Sequence, residues 1–147
     1  MKKYFYFLFA IIAVACAEEA EEDSGLVTGT SHMDQETYTE TEEAMEGLEL
    51  NGGNKWRLDS YTADAMNQVK ELVVGHEGEE FADLGAELKD LLKDIEKNTG
   101  MNGEDLEQFE IIRSAMFKES KELKKGKSTD LVKMNRYLEM YEKHFEL

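Results

Sequence analysis

The chain has 147 residues, no proline and one cysteine, Cys16, so no intramolecular disulfide can form. Its 33 acidic and 17 basic residues give a net charge of −16, and with no basic stripe this disfavours nucleic acid as a partner. The acidity is concentrated: residues 17–46 hold 11 acidic residues and no Lys or Arg, which leaves 22 acidic against 15 basic residues beyond them, the charge of an ordinary solvated surface on one small domain.

Lys2 and Lys3 precede an uncharged run from Tyr4 to Val14. The run suits the apolar core of a secretory signal and is well short of the roughly 20 residues needed to span a bilayer. It closes with Ala13-Val14-Ala15-Cys16, which resembles the lipobox of bacterial lipoprotein precursors. The resemblance implies that residues 1–15 are removed and that the Cys16 thiol is diacylated and becomes the new N-terminus. Loss of the two lysines with the leader takes the charge from −16 to −18. Several acyl chains would hold the protein at a membrane where one chain is marginal. Ala17, not Asp, follows the cysteine, and Glu18, Glu19, Glu21, Glu22 and Asp23 resemble the acidic export patch of surface-displayed lipoproteins. The implied location is the bacterial cell envelope, at the outer membrane, on its periplasmic face or at the cell surface. Ala13-x-Ala15 also satisfies the rule for ordinary signal cleavage, which would release a soluble chain with a free Cys16. A lone cysteine at the cleavage point favours the lipid-anchored alternative.

Residues 16–46, rich in Glu, Thr, Ser and Ala with scattered apolar positions, read as a disordered acidic tether. Such a tether has a span of roughly 30 Å, further stretched by its own charge. It serves either as reach away from anionic headgroups or simply as solubilising chain. The folding domain is expected over residues 47–147. Leu48-Glu49-Leu50 and Trp56-Arg57-Leu58 alternate apolar and polar residues around Asn51-Gly52-Gly53-Asn54, which predicts a small hairpin or extended strip lying on helices, with Trp56 as a core plug.

Four helices are expected next, at about 60–74, 79–98, 103–125 and 129–145. Asp59 or Ser60 caps the first, whose inner face is Ala65, Met66, Val69, Leu72 and Val73 before Gly75 and Gly78 end it. Phe81, Leu84, Leu88, Leu91 and Ile95 form the seam of the second, and Gly100 is its left-handed stop. Asn102 should cap the third, with Asp105 reaching back, over Leu106, Phe109, Ile112, Met116 and Leu123 to a stop at Gly126. The last begins near Ser128 or Thr129 and carries Leu131, Met134, Leu138, Tyr141 and Phe145. Short connections make sequential helices antiparallel neighbours. The expected fold is all-α: an up-and-down four-helix bundle preceded by a short extended or hairpin strip and a disordered tether.

Leu50-Asn51-Gly52-Gly53-Asn54-Lys55-Trp56 resembles the Leu-Asn-x-Gly-x-Lys-Trp strip that opens the mature part of a group of small uncharacterised bacterial envelope proteins with a helical domain; the likeness extends over residues 48–147. In that group the loop before the third helix carries histidines near a Met-x-Gly element. Here it reads Met101-Asn102-Gly103-Glu104-Asp105-Leu106-Glu107, with a shorter spacing and no histidine, a departure from the pattern on which the group's implied metal or polar-ligand role rests.

Motifs with known chemistry are mostly missing. His76-Glu77 lacks the second histidine of a zinc motif, because position 80 is Glu80. A helix-end cation role explains His76 more simply. A calcium loop counted from Asn98 would put Phe109 where a bidentate Glu belongs. No Glu-x-x-His pair, nucleophile elbow or P-loop occurs. Met66, Met116, Met134 and Met140 fit core packing better than copper ligation. Lys118, Lys121, Lys124, Lys125 and Lys127 compensate a helix dipole, with an anionic contact as the alternative. No catalytic residue and no cofactor is expected. The sequence points to a non-enzymatic, lipid-anchored module that contacts the membrane through Cys16 and binds another envelope protein. The alternative is a metal-binding or sequestering envelope protein using acidic, histidine and methionine ligands, with His76, Glu77, Glu80, Asn102, Glu104 and Asp105 as the candidate metal residues.

Overall fold

The computed structural model describes residues 39–146. The leader, Cys16, His32 and most of the expected tether lie outside the described residues. At its near edge the expectation of disorder to residue 46 needs correction. Residues 39–44 are helical (α1), with Thr41 and then Met45 buried against the domain. Thr41, Ala44 and Met45 lie seven, four and three residues before Leu48, so this stretch has the inward-facing stripe that pins a short helix to a core.

Two glycines in left-handed conformation, Gly52 and Gly53 at φ 58° and 92°, make the tight turn. Asn51 and Asn54 exchange backbone hydrogen bonds of 2.9 and 3.0 Å across it. The expected hairpin goes no further. Beyond the turn, β1 (Trp56–Arg57) pairs in parallel with β2 (Phe145–Glu146), in the register Trp56 to Phe145 and Arg57 to Glu146. Residues 47–49 instead lie along a helix, where the Gln108 amide accepts from Glu49 N at 2.8 Å and donates to Gly47 O at 3.2 Å. Trp56 is buried as expected, its indole N–H donating to Glu49 O at 2.6 Å.

Four long helices make the fold all-α: α2 (Ser60–Val74), α3 (Phe81–Asn98), α4 (Gly103–Leu123) and α5 (Thr129–His144). Each packs on the next, and α5 returns to α2. Met66, Val69, Leu88, Leu92, Ile95, Phe109, Ile112, Met116, Leu123 and Met134 are sealed in one core, the methionines as packing residues.

Asp59 caps α2, accepting from Thr62 N at 3.1 Å. The same carboxylate accepts from Thr99 Oγ1 and Gly100 N, each at 3.2 Å, so one side chain ties the start of α2 to the end of α3. That bond is why Gly100 is not the left-handed stop expected of it: α3 ends as Thr99 turns extended, with ψ 133°, and delivers the Gly100 amide to Asp59. Asn102 flanks α4 without a side-chain capping bond, because Gly103, at φ 63°, turns the chain into the helix instead.

Candidate functional site

The six residues considered for a metal are divided between the two ends of the bundle. His76, Glu77 and Glu80 lie in the connection between α2 and α3, around an acidic depression of about 950 Å³ also lined by Glu71, Glu79 and Asp83. Asn102, Glu104 and Asp105 lie where α3 gives way to α4, a full helix away. An 18-residue helix is about 27 Å long, so no single ion can be held by both groups. Among the described residues no three His, Cys, Asp or Glu side chains converge closely enough to hold a metal ion. The His76 ring lies 5.3 Å from that of Phe81, and its Nε2 has no hydrogen-bond partner. No hydrogen bond joins His76 to the last carbonyls of α2, whereas at the end of a different helix, α5, His144 Nδ1 is 2.7 Å from Met140 O.

A different cluster stands out along α4 and α5. Glu119 and Asp130 are each only 4% exposed, and Glu119 Oε2 and Asp130 Oδ2 are buried without a hydrogen-bond partner. Both carboxylates line a depression of about 530 Å³ between α1, α4 and α5, together with Glu40, Lys133 and Tyr137. Lys133 sits among the carboxylates but pairs outward, 2.5 Å from Glu40 on α1. Glu122, at the rim, is engaged by Lys125 at 2.6 Å and Lys127 at 3.8 Å.

The electrostatics follow from this placement. Burial raises the Glu119 pKa; Lys133 opposes the rise and the nearby Asp130 adds to it. Burial raises Asp130 as well, against the pull of Lys133 and Lys127. The Tyr137 phenol is pushed up by burial and by the charges of Glu119 and Glu40. Lys133 loses affinity for its proton through burial, but Glu40, Glu119 and Asp130 together more than restore it. Two carboxyl groups therefore hold protons more tightly than usual beside a lysine committed elsewhere.

These residues carry a signal that the sequence reading passed over. Phe109, Ile112, Met116, Glu119 and Leu123 follow one another at steps of 3, 4, 3 and 4, so Glu119 occupies a seam position. Asp130 precedes Met134 and Tyr137 by four and seven residues and faces the same way. A carboxylate in an apolar seam is a candidate site on that ground alone. Arg113 is a buried charge of another kind, fully engaged: its guanidinium donates to both Glu110 oxygens, at 2.7 and 2.5 Å, and to Glu96 of α3 at 3.4 Å.

Among known protein families, curated proteins and solved structures, none matches this chain.

Proposed function

We propose that the chain is a lipid-anchored, non-enzymatic protein of a bacterial cell envelope. More particularly, its helical domain acts as a binding module for another envelope component. The observation that carries the anchor is the segment Ala13-Val14-Ala15-Cys16, which closes an uncharged run behind Lys2 and Lys3 and contains the only cysteine of the chain. No helix among the described residues is long and apolar enough to cross a membrane. The acidic stretch after Cys16 supports a stand-off from anionic headgroups. The binding role draws support from the depression between α1, α4 and α5, whose buried carboxylates are stability-costly and unused by the fold's own hydrogen bonding.

Intact-mass measurement of the native protein tests the anchor. The expected mature chain starts at Cys16, carries the mass of its acyl groups, and partitions into the detergent phase. A chain that starts elsewhere, or starts at Cys16 with a free thiol in the aqueous phase, overturns the anchor. Crosslinking in intact cells tests the module, with one specific adduct expected and none counting against it.

A further inference from the structure

We infer that Glu119 and Asp130 form the receiving end of a binding site for an organic cation, an alkylammonium or guanidinium group that donates hydrogen bonds to both carboxylates. This deepens the binding-module reading by naming a ligand class, and it is independent of the lipid anchor.

A buried carboxylate oxygen with no donor is destabilising relative to a satisfied one, and two of them line this one depression. Apolar residues at the same seam positions would pack without that cost, so packing alone does not account for either acid. The cations of the protein do not meet the need. Lys133 is drawn outward to Glu40, Lys127 is turned to Glu122, and Lys118, which also lines the depression and acts on Glu119 through its charge, bonds to neither buried oxygen.

The missing partner is a group with several N–H donors and positive charge. An ammonium has three donors on one atom and a guanidinium five in a planar fork, and either can bridge two acids. A metal ion fits less well, because no third ligand converges among the described residues. An organic cation can place its charge between the acids while its carbon stem extends along Tyr137, out through a depression of about 530 Å³. The wall on the outer side is α1, through Glu40, Glu43 and Ala44, so the cation reaches the acids by displacing the α1 side of the depression.

Calorimetric titration of the full chain tests this with two probes. Agmatine stands for a free small amine, and an end-blocked Gly-Arg-Gly peptide for the side chain of a protein partner. Saturable one-to-one binding of at least one probe, tighter than about 1 mM, is expected; which of them binds identifies the source. Glu119→Gln and Asp130→Asn should each weaken that binding by about tenfold or more, since each removes one charge-assisted acceptor. Lys133→Met should tighten it by about threefold or more, because a like charge beside the site and the clasp on Glu40 of α1 are both gone. Absence of saturable binding by both probes overturns the inference. Binding unaltered by Glu119→Gln and Asp130→Asn, or unchanged or weakened by Lys133→Met, overturns it equally. A chain that proves lipidated but binds neither probe leaves the anchor standing and removes only this site.

Discussion

Glu119 stands in the α4 seam three residues after Met116 and four before Leu123, where the helical period calls for an apolar side chain. Its pKa is raised above the ordinary 4.5, chiefly by burial. The folded state therefore retains a proton that the unfolded chain releases. The resulting stability is fully present below pH 4.5 and is lost as pH rises from there through the folded-state value. Glu119→Gln, neutral at every pH, should be more stable than the native chain at pH 7 by about 1 kcal/mol. The gap should close as the pH is lowered toward 4.5. Urea unfolding across this range checks it, and a variant no more stable than the native chain at neutral pH rejects it. Asp59 behaves in the opposite sense. Burial alone would raise its pKa, but hydrogen bonds from Thr62, Thr99 and Gly100 outweigh that and hold it below 3.8. Its contribution is present above pH 3.8 and is lost as pH falls through the folded-state value. Asp59→Ala should cost about 1–2 kcal/mol at pH 7 and progressively less in acid, read from thermal melts at both pH values.

The helices themselves are set by local signals, while their closeness is set by particular small residues. Gly85, buried on α3, faces the end of α4 so closely that a Cβ there would lie 2.7 Å from Ser120 O and 2.8 Å from the Leu123 carbonyl carbon. The obstruction is backbone, which no rotamer change relieves. Gly85→Ala should therefore destabilise the domain by about 3 kcal/mol, despite alanine's better helix propensity. A melting temperature equal to or above that of the native chain would show that the α3–α4 crossing can widen without cost. The β1–β2 pairing has a similar logic. Two residues per strand are too few to persist alone, and they are held because Trp56 and Phe145 are both buried beneath them, Phe145 edge-on to Phe109 at 5.8 Å.

At the scale of the described domain, both ends of the described stretch are built into the core. Phe145 joins β1 at one end, and Met45, 5% exposed, closes the core at the other, with Lys133 of α5 clasping Glu40 of α1 outside it. The acidic run that composition marks as tether thus yields to folded chain by residue 39. Met45→Ala should cost about 2–3 kcal/mol in chemical denaturation, the range for a truncated core methionine. A change below about 0.5 kcal/mol, the scatter of surface substitutions, would mean that α1 only rests on the domain. Glu40→Gln should have little effect, because Glu40 is 54% exposed and an ion pair in solvent contributes little.

The sequence by itself determined the helices and their order. Apolar residues at steps of 3 and 4 place α2 to α5 within about two residues of their observed ends, Asp59 announces the cap of α2, and the Gly52-Gly53 pair announces the turn. These features depend on neighbours within one or two helical turns, so they are written locally. Only the tertiary structure decided that β1 pairs with the far end of the chain, that residues 39–44 dock, and that Gly100 gives its amide to Asp59. It also decided that Glu119 and Asp130 are covered by α1 and by each other's helices, among 33 acids that look alike in composition. Whether a carboxylate on a helix face is solvated or buried depends on which distant segment lies over it, and the helical period does not contain that information.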